Sequence, residues 1–471
     1  VRLGIDLGTA SLKVLALEAD ASTVAAAPYP VSCPEPLWAE TDPECWVAAL
    51  GSALGQLGAR TSAAEAVGFS GQMHGIVPVS LSQGALGPAI LWADRRSRGL
   101  IPRFDALSPA LRGPLRNAPS PGMAALSILW LKGERRSIYD RTDVFLFPKD
   151  YLRWRLTGEL STERTDASGG LLYDCEAEAW HGELLRELGI DANKLPPLGP
   201  SSGLAGTVSA QGARLSGLAE GIPVGRGAAD TAAALFGAGL ADPSVLQISV
   251  GSGVQAVRLA LSLPAGSASL NLFAAVGEGT WYRMAAMLNG GVALEWVRCL
   301  LGLSWEEAYA GFAAGVPPRD LLFLPYLAGE RTPYMDPGAR GAWIGLGLHH
   351  SRLDLLHAAL FGVAMSLRLG LETLGCEGVR EFRLAGGSAR HPYWTRLLAT
   401  VLGRPLTVST NPDLSALGAA LLGARAAGLK EESGPARADR PAVAPGALDW
   451  LEEYYASFKA AYPATTLWRS P

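Results

Sequence analysis

Asp6 stands between an apolar run and a Gly-Thr turn in Gly4-Ile5-Asp6-Leu7-Gly8-Thr9-Ala10-Ser11-Leu12-Lys13. Residues 3–7 and 12–17 read as two strands joined at that turn. Two glycines, the hydroxyls of Thr9 and Ser11 and the Lys13 ammonium make a nest of donors suited to phosphate oxygens. Asp6 is placed to hold a Mg²⁺ directly or through water. The competing reading is an ordinary hairpin with a salt-bridged aspartate, because the spacing is neither Walker A nor a dinucleotide fingerprint. A second carboxylate, Asp230, follows a glycine-rich strand end and heads an Ala-rich helix in Gly225-Arg226-Gly227-Ala228-Ala229-Asp230-Thr231. It is either an N-cap or a base facing a cleft, able to take a proton from a hydroxyl. In Ser70-Gly71-Gln72-Met73-His74-Gly75, Gln72 and His74 offer donors and acceptors for hydroxyls and Met73 an apolar face. That combination suits a sugar or polyol, although a lone histidine is more often structural. Asp94, in Ala93-Asp94-Arg95-Arg96-Ser97, ends another strand; its alternative is a solvated turn with a surface ion pair.

Polar residues at the ends of buried strands are what an α/β site requires, so the elements between them are expected to alternate. Helical patterning covers 45–57, 123–132, 151–156, 353–374, 393–402, 415–427 and 448–462, whereas 165–169 reads as a polar turn and 430–447 as a loop. The segment Gln247-Ile248-Ser249-Val250-Gly251-Ser252-Gly253-Val254 repeats the opening plan of strand, small-residue turn and strand. Two such hairpins, one heading each half, point to an internal duplication holding a phosphate chain between them. A boundary at 237–243 follows, with domains at 1–237 and 238–471. Gly386-Gly387-Ser388 ends a further strand, and its small residues would let an adenine or ribose approach the backbone; a tight strand-helix turn is the alternative.

A chain of 471 residues, 49% apolar and 18% charged, has room for two domains that each bury a core. Its net charge of −4 argues against nucleic acid as a partner. The five cysteines lie far apart with no CxxC or Cys/His cluster, so a reducing compartment is expected, with neither zinc nor disulfides. No uncharged apolar run of membrane-spanning length and no leader pattern is evident, and a soluble cytoplasmic protein is the expectation. A homodimer is left open.

The paired hairpins resemble the actin-like ATPase fold, also called RNase H-like, in which nucleotide lies in a cleft between two related domains. In order along the chain, Gly4 to Thr9, Ser70 to Gly75, Leu91-Trp92-Ala93-Asp94-Arg95-Arg96-Ser97, Pro148-Lys149-Asp150-Tyr151, Asp230, Phe323 to Pro333 and Gly386-Gly387-Ser388 resemble the FGGY carbohydrate kinases, and within them the xylulokinases. The resemblance implies ATP-dependent phosphorylation of a pentulose, D-xylulose above others, with Asp230 as general base and Asp6 organising Mg²⁺. It further implies that Gln72, Met73, His74 and Asp94 contact the sugar. Thr9, Ser11, Lys13, Gly251 and Ser252 would line the phosphate path, and Gly386, Gly387 and Ser388 the adenosine pocket. Three departures surround the site: Val250-Gly251-Ser252-Gly253 where the family has Gly-Thr-Ser-Gly, Thr231 where it has Asn or Gln, and Leu126-Ser127 in place of Pro-Lys. Ribulose, another ketose or a polyol, or a sensor that binds without transfer, are therefore the alternatives.

Overall fold

A computed structural model describes residues 1–19, 21–314, 318–386, 391–409, 411–430 and 440–466. In the N-terminal half the strands are β1 (Arg2–Leu7), β2 (Ser11–Leu17), β3 (Ser22–Pro28), β4 (Ala66–Gly71), β5 (Leu204–Thr207), β6 (Pro223–Gly225) and β7 (Ala228–Ala229). They form one sheet in the order β5-β6-β4-β1-β2-β3, with β7 paired to β4. The C-terminal half contains β8 (Val245–Val250), β9 (Val254–Ala260), β10 (Asn271–Ala274), β11 (Trp281–Met287), β12 (Glu381–Ala385), β13 (Leu406–Val408) and β14 (Arg440–Val443). Its order is β10-β11-β9-β8-β12-β13-β14.

The two sheets share one plan. β1 is antiparallel to β2 and parallel to β4, and β8 is antiparallel to β9 and parallel to β12. The next strand out is antiparallel on the hairpin side and parallel on the other in both halves. Parallel neighbours need helical crossovers on the faces, and these account for the nearly all-buried runs in β1 and β4.

The helices that matter for the site are α1 (Pro43–Leu57), α2 (Pro148–Thr157), α3 (Arg164–Ala167), α4 (Asp230–Gly237), α5 (Gly291–Leu300), α6 (Arg352–Leu374) and α7 (Leu414–Ala426). Pro148 occupies the first turn of α2, where its missing N–H costs nothing, so Lys149 and Asp150 are helical and not part of a lead-in. The polar turn expected at 165–169 is closed by α3, whose N-cap Glu163 accepts from the backbone of Thr165 and Asp166. The expected loop at 430–447 contains β14, an edge strand starting at Arg440-Pro441, where proline is tolerated. α6 is long and apolar enough to cross a membrane, yet it carries Asp354, Arg368 and Glu372 and is mostly buried in the C-terminal core. It is read as a core helix.

α4 and α7 exchange sides. Ala232, Ala233 and Leu235 of α4 pack with Val257, Tyr282 and Met284 of the C-terminal sheet. Ala416, Leu417 and Ala420 of α7 pack with Leu15 and Leu17 of the N-terminal sheet. Each half thus covers the other's sheet, and the two helices pass each other closely, with Gly237 at the end of α4 against Leu414 at the start of α7.

Candidate active site

The register of three strands fixes Asp6. It lies opposite Lys13 of β2 and Ser70 of β4, and Ser70 is in turn opposite Ala228 of β7. Two residues past Ala228 the chain turns into α4 at Asp230. The Ser70 hydroxyl donates to Asp6 Oδ1 at 2.9 Å. Burial, reinforced by the charge of Asp230, pushes the Asp6 carboxyl up to about 6, against the opposing pull of Ser70 and Lys13. Burial also raises Asp230, whose Oδ1 accepts from the Thr231 N–H at 2.5 Å and from its hydroxyl at 3.1 Å. Ala229, not Asp230, is the N-cap. Two half-buried carboxylates at a strand end form a hard-oxygen donor set of the kind Mg²⁺ accepts, so the residues present fit that ion.

At the first turn, Gly8 N–H donates to Ser11 O at 3.0 Å, and the exposed Thr9 hydroxyl accepts from Trp92 Nε1 at 3.2 Å. Lys13 reaches across the cleft floor to Asp413, the N-cap residue of α7, at 2.6 Å. Its ammonium therefore ties β2 of the N-terminal half to α7 of the opposite half.

Beside this turn lies the pocket proposed for hydroxyls. Gln72 is buried, its Nε2 donating to Gly8 O at 3.3 Å and Tyr29 Oη at 3.2 Å, while its Oε1 has no partner among the described residues. One end of the amide thus braces the Gly8 turn and the other end is free to accept. Met73 is buried with its sulfur 3.8 Å from Tyr282 Oη of the opposite sheet. His74 adopts φ of 73°, an uncommon conformation for a non-glycine residue. Its Nδ1 is 2.8 Å from Gly169 O, which can only accept, so Nδ1 carries the proton and Nε2 is left as an acceptor. Burial, assisted by the charge of Arg331, lowers His74 to about 4, so the ring is neutral near pH 7.

Asp94 takes a different place from the one expected. It is buried, with Oδ2 accepting from Ala39 N at 2.7 Å, Oδ1 from Arg96 N at 2.8 Å, and both oxygens from the Arg96 guanidinium. Arg96 lies 3.5 Å from the Trp38 ring centre and also binds Glu40 at 2.7 Å. These partners occupy both oxygens, so Asp94 orders the turn that presents Trp92 and Arg95 and does not itself offer a sugar contact.

A buried ionic cluster behind the pocket has no counterpart in the motif reading beyond the Pro148-Lys149-Asp150-Tyr151 match. Lys149, Asp150, Arg153, Glu163 and Asp166 are all 0% exposed. Lys149 contacts Asp150 at 2.7 Å, Asp166 at 2.9 Å and Glu163 at 3.3 Å, and Arg153 contacts Asp150 at 2.7 Å. Burial, with the like charges of Glu163 and Asp150, outweighs Lys149 and pushes Asp166 up to about 8. Glu163 accepts from the Thr165 hydroxyl at 2.8 Å, and Thr165 Oγ1 accepts from Ala229 N at 2.8 Å. The same loop supplies the Gly169 carbonyl that orients His74. One segment, 163–169, therefore fixes both the strand end before Asp230 and the histidine.

Across the cleft, the carbonyls of Gly251 and Ser252 accept from Gly291 N at 2.8 Å and from Gly290 and Val292 N at 3.1 and 3.0 Å. The second turn is thereby docked on the N-terminus of α5, an element that motif spacing did not connect to it. Gly386 has φ of 103° beside this turn, and a Cβ there would stand 2.6 Å from Val250 O. Gly387 and Ser388 lie outside the described residues.

Comparison with known proteins bears on this arrangement. The model of the FGGY family of carbohydrate kinases, N-terminal domain, matches residues 1–237, and that of the C-terminal domain matches 249–427. The chain belongs to the FGGY family of carbohydrate kinases. It is 35% identical over 430 residues to the xylulose kinase of Escherichia coli (strain K12), covering 89% of each chain. To the xylulose kinase of Klebsiella pneumoniae it is 34% identical, again over 89% of each. A crystal structure of a xyloylose kinase from Brucella ovis matches with a TM-score of 0.90 at 33% identity, covering 98% of this chain and 99% of that one. The kinase thus has the two-domain actin-like fold, and ATP is the phosphoryl donor its family uses.

Proposed function

We propose that this FGGY kinase transfers the γ-phosphoryl group of ATP to the terminal hydroxyl of a pentulose, D-xylulose above others, giving D-xylulose 5-phosphate and ADP. The relatives named above as xylulose kinases support the choice of sugar. The observation that carries the chemistry is Asp230 at the head of α4, its half-buried carboxylate beside Asp6 and one strand pairing from the phosphate turn. Burial raises its basicity toward what a general base needs. Asp230 takes the hydroxyl proton as the sugar oxygen attacks phosphorus. His74 Nε2 and Gln72 Oε1 accept from sugar hydroxyls, and Met73 packs on the sugar's apolar side. Thr9, Ser11, Lys13, Gly251 and Ser252 line the phosphate path, with Gly386 on the adenosine side. Mg²⁺ held by Asp6 would neutralise phosphate charge and polarise the transferring group. Closure of the two halves would keep water from replacing the sugar hydroxyl.

An ADP-release assay with Mg-ATP tests the reading against D-xylulose, D-ribulose, L-ribulose, L-xylulose, gluconate and glycerol. D-Xylulose is expected to give the largest kcat/KM, and Asp230→Ala to lower kcat by about a hundredfold or more. A larger response to another sugar would move the substrate. Near-normal kcat in Asp230→Ala would remove the base.

A further inference from the structure

Glu330 and Arg331 sit on the loop that follows the strand Leu322–Leu324 of the C-terminal half. That loop is tied down on both sides of Arg331. Glu330 Oε1 accepts from Leu288 N and Arg331 N, each at 2.7 Å, and Asn289 Nδ2 donates to Gly329 O at 2.7 Å. Thr332 donates to Ser269 O at 2.8 Å and accepts from Ala286 N at 3.1 Å. From this fixed base the Arg331 guanidinium reaches into the cleft, 6.0 Å from the centre of the Trp92 ring of the N-terminal half. Trp92 is the residue whose indole N–H holds Thr9 in the phosphate turn.

Among the described residues, the half-buried Arg331 guanidinium makes no ion pair and donates no hydrogen bond. Arg96 and Arg153, by contrast, are each matched to carboxylates. The adjacent Glu330 is a poor counter-ion, since its oxygens are spent on N–H donors and burial raises its carboxyl to about 7. The charge that Arg331 does feel from the other half is a like one. Arg95, exposed and also without an ion pair among the described residues, acts with burial to lower the Arg331 pKa. Uncompensated charge taken from water is expensive, and folds retain it where a ligand completes it. A guanidinium with no counter-ion among the described residues, held 6.0 Å from the ring of the Trp92 that binds Thr9, calls for an anion with several oxygens.

We propose that Arg331, presented by the C-terminal half, binds the phosphoryl group in transfer and on the sugar product. In that step the sugar oxygen forms a bond to the γ-phosphorus and its proton passes to Asp230. The bond from phosphorus to the β,γ-bridging oxygen breaks, and its electron pair leaves on ADP. Arg331 exchanges no atom; it offsets charge on the non-bridging oxygens, which is the main catalytic demand of phosphoryl transfer. Because sugar and guanidinium belong to different halves, the transferred group itself ties the halves together. The inference rests on the sugar-kinase reading above.

The test compares wild type with Arg331→Gln and Arg331→Lys, by turnover and by calorimetric binding of D-xylulose, D-xylulose 5-phosphate and gluconate. In Arg331→Gln, kcat is expected to fall about a hundredfold or more. Affinity for D-xylulose 5-phosphate should fall about tenfold, with binding of D-xylulose nearly unchanged. Arg331→Lys, which keeps the charge without the fork, should lie between. Equal weakening of sugar and sugar phosphate in both variants would mean a structural role and overturn the proposal. So would loss of gluconate binding alone, which would assign the guanidinium to a carboxylate on the sugar. An active wild type beside an Arg331→Gln variant of unchanged kcat and sugar-phosphate affinity would overturn the inference but not the kinase. A wild type silent on every sugar would instead overturn the reading on which both stand.

Discussion

At His74, three observations constrain one ring: φ of 73°, an Nδ1 contact of 2.8 Å to Gly169 O, and a pKa lowered to about 4 by burial and Arg331. The folded pKa lies below the ordinary histidine value of about 6.5. Between those values the unfolded chain takes a proton that the folded chain refuses. The stabilisation is therefore present above pH 6.5 and is lost as pH falls toward 4. Urea unfolding at pH 7 and pH 5 should show wild type losing no more than about 2 kcal/mol from this source, a loss absent in His74→Gln. The sugar KM of wild type should show no inflection near pH 6.5; one there would mean the ring charges in the folded site. His74→Ala should raise the sugar KM and leave the ATP KM unchanged, and the reverse would remove it from the sugar pocket. Residue types at such positions were legible from sequence, because strand ends followed by polar turns have few uses. Direction was not. Asp94 looked like a ligand, and the arginine two residues on, with Ala39 N–H from a distant loop, consumes its oxygens.

Segment 163–169 shows the same limit for elements. Its sequence, Glu163-Arg164-Thr165-Asp166-Ala167-Ser168-Gly169, has neither apolar period nor metal spacing, and its role arises from partners drawn from α2, β7 and β10. Motif reading found Lys149 and Asp150 as a family match but could not see that they buttress this loop, since ionic clusters carry no periodic signature. The helices expected from their 3.6-residue stripe were placed to within a few residues, whereas α5 and the helix Trp305–Ala314 were not foreseen. Strand β14 escaped because Pro and Ala at an edge look like a linker. Thr165→Val, nearly isosteric, removes the acceptor for Ala229 N–H and leaves a buried donor unpaired, which costs about 1–3 kcal/mol. Because Ala229 directly precedes Asp230, kcat should fall by about tenfold while the KM for ATP holds, as the base loses its fixed position. Thr165→Ser keeps the hydroxyl and should recover most of the kcat. Equal kcat in Val and Ser variants would separate the loop from catalysis and leave it a purely structural brace.

The whole molecule depends on how closely α4 and α7 approach as they cover each other's sheets. A Cβ on Gly418 of α7 would stand 1.9 Å from Ala233 O of α4, and one on Gly4 of β1 would stand 1.8 Å from Ala416 O of α7. Two related hairpins made the duplication legible, but these glycines read only as ordinary small residues, since nothing local marks a contact between halves. The crossing makes a prediction in which two effects have opposite signs. Glycine to alanine inside a helix normally stabilises by about 1 kcal/mol, and Gly55→Ala in α1, where a Cβ would meet nothing within 4 Å, should do so. At Gly418 the added methyl cannot fit without separating two backbones, and overpacking of this kind costs about 1–3 kcal/mol. Gly418→Ala should therefore unfold at lower denaturant than wild type, while Gly55→Ala unfolds at higher. Moving α7 away from α4 also shifts Asp230 at one helix start and Asp413, with its Lys13 partner, at the other. Loss of stability in Gly418→Ala should thus come with a lower kcat, and Gly55→Ala should keep the wild-type value. A Gly418→Ala protein that is both more stable and fully active would mean that the helices do not meet at this distance, and that the coupling of the two halves lies elsewhere.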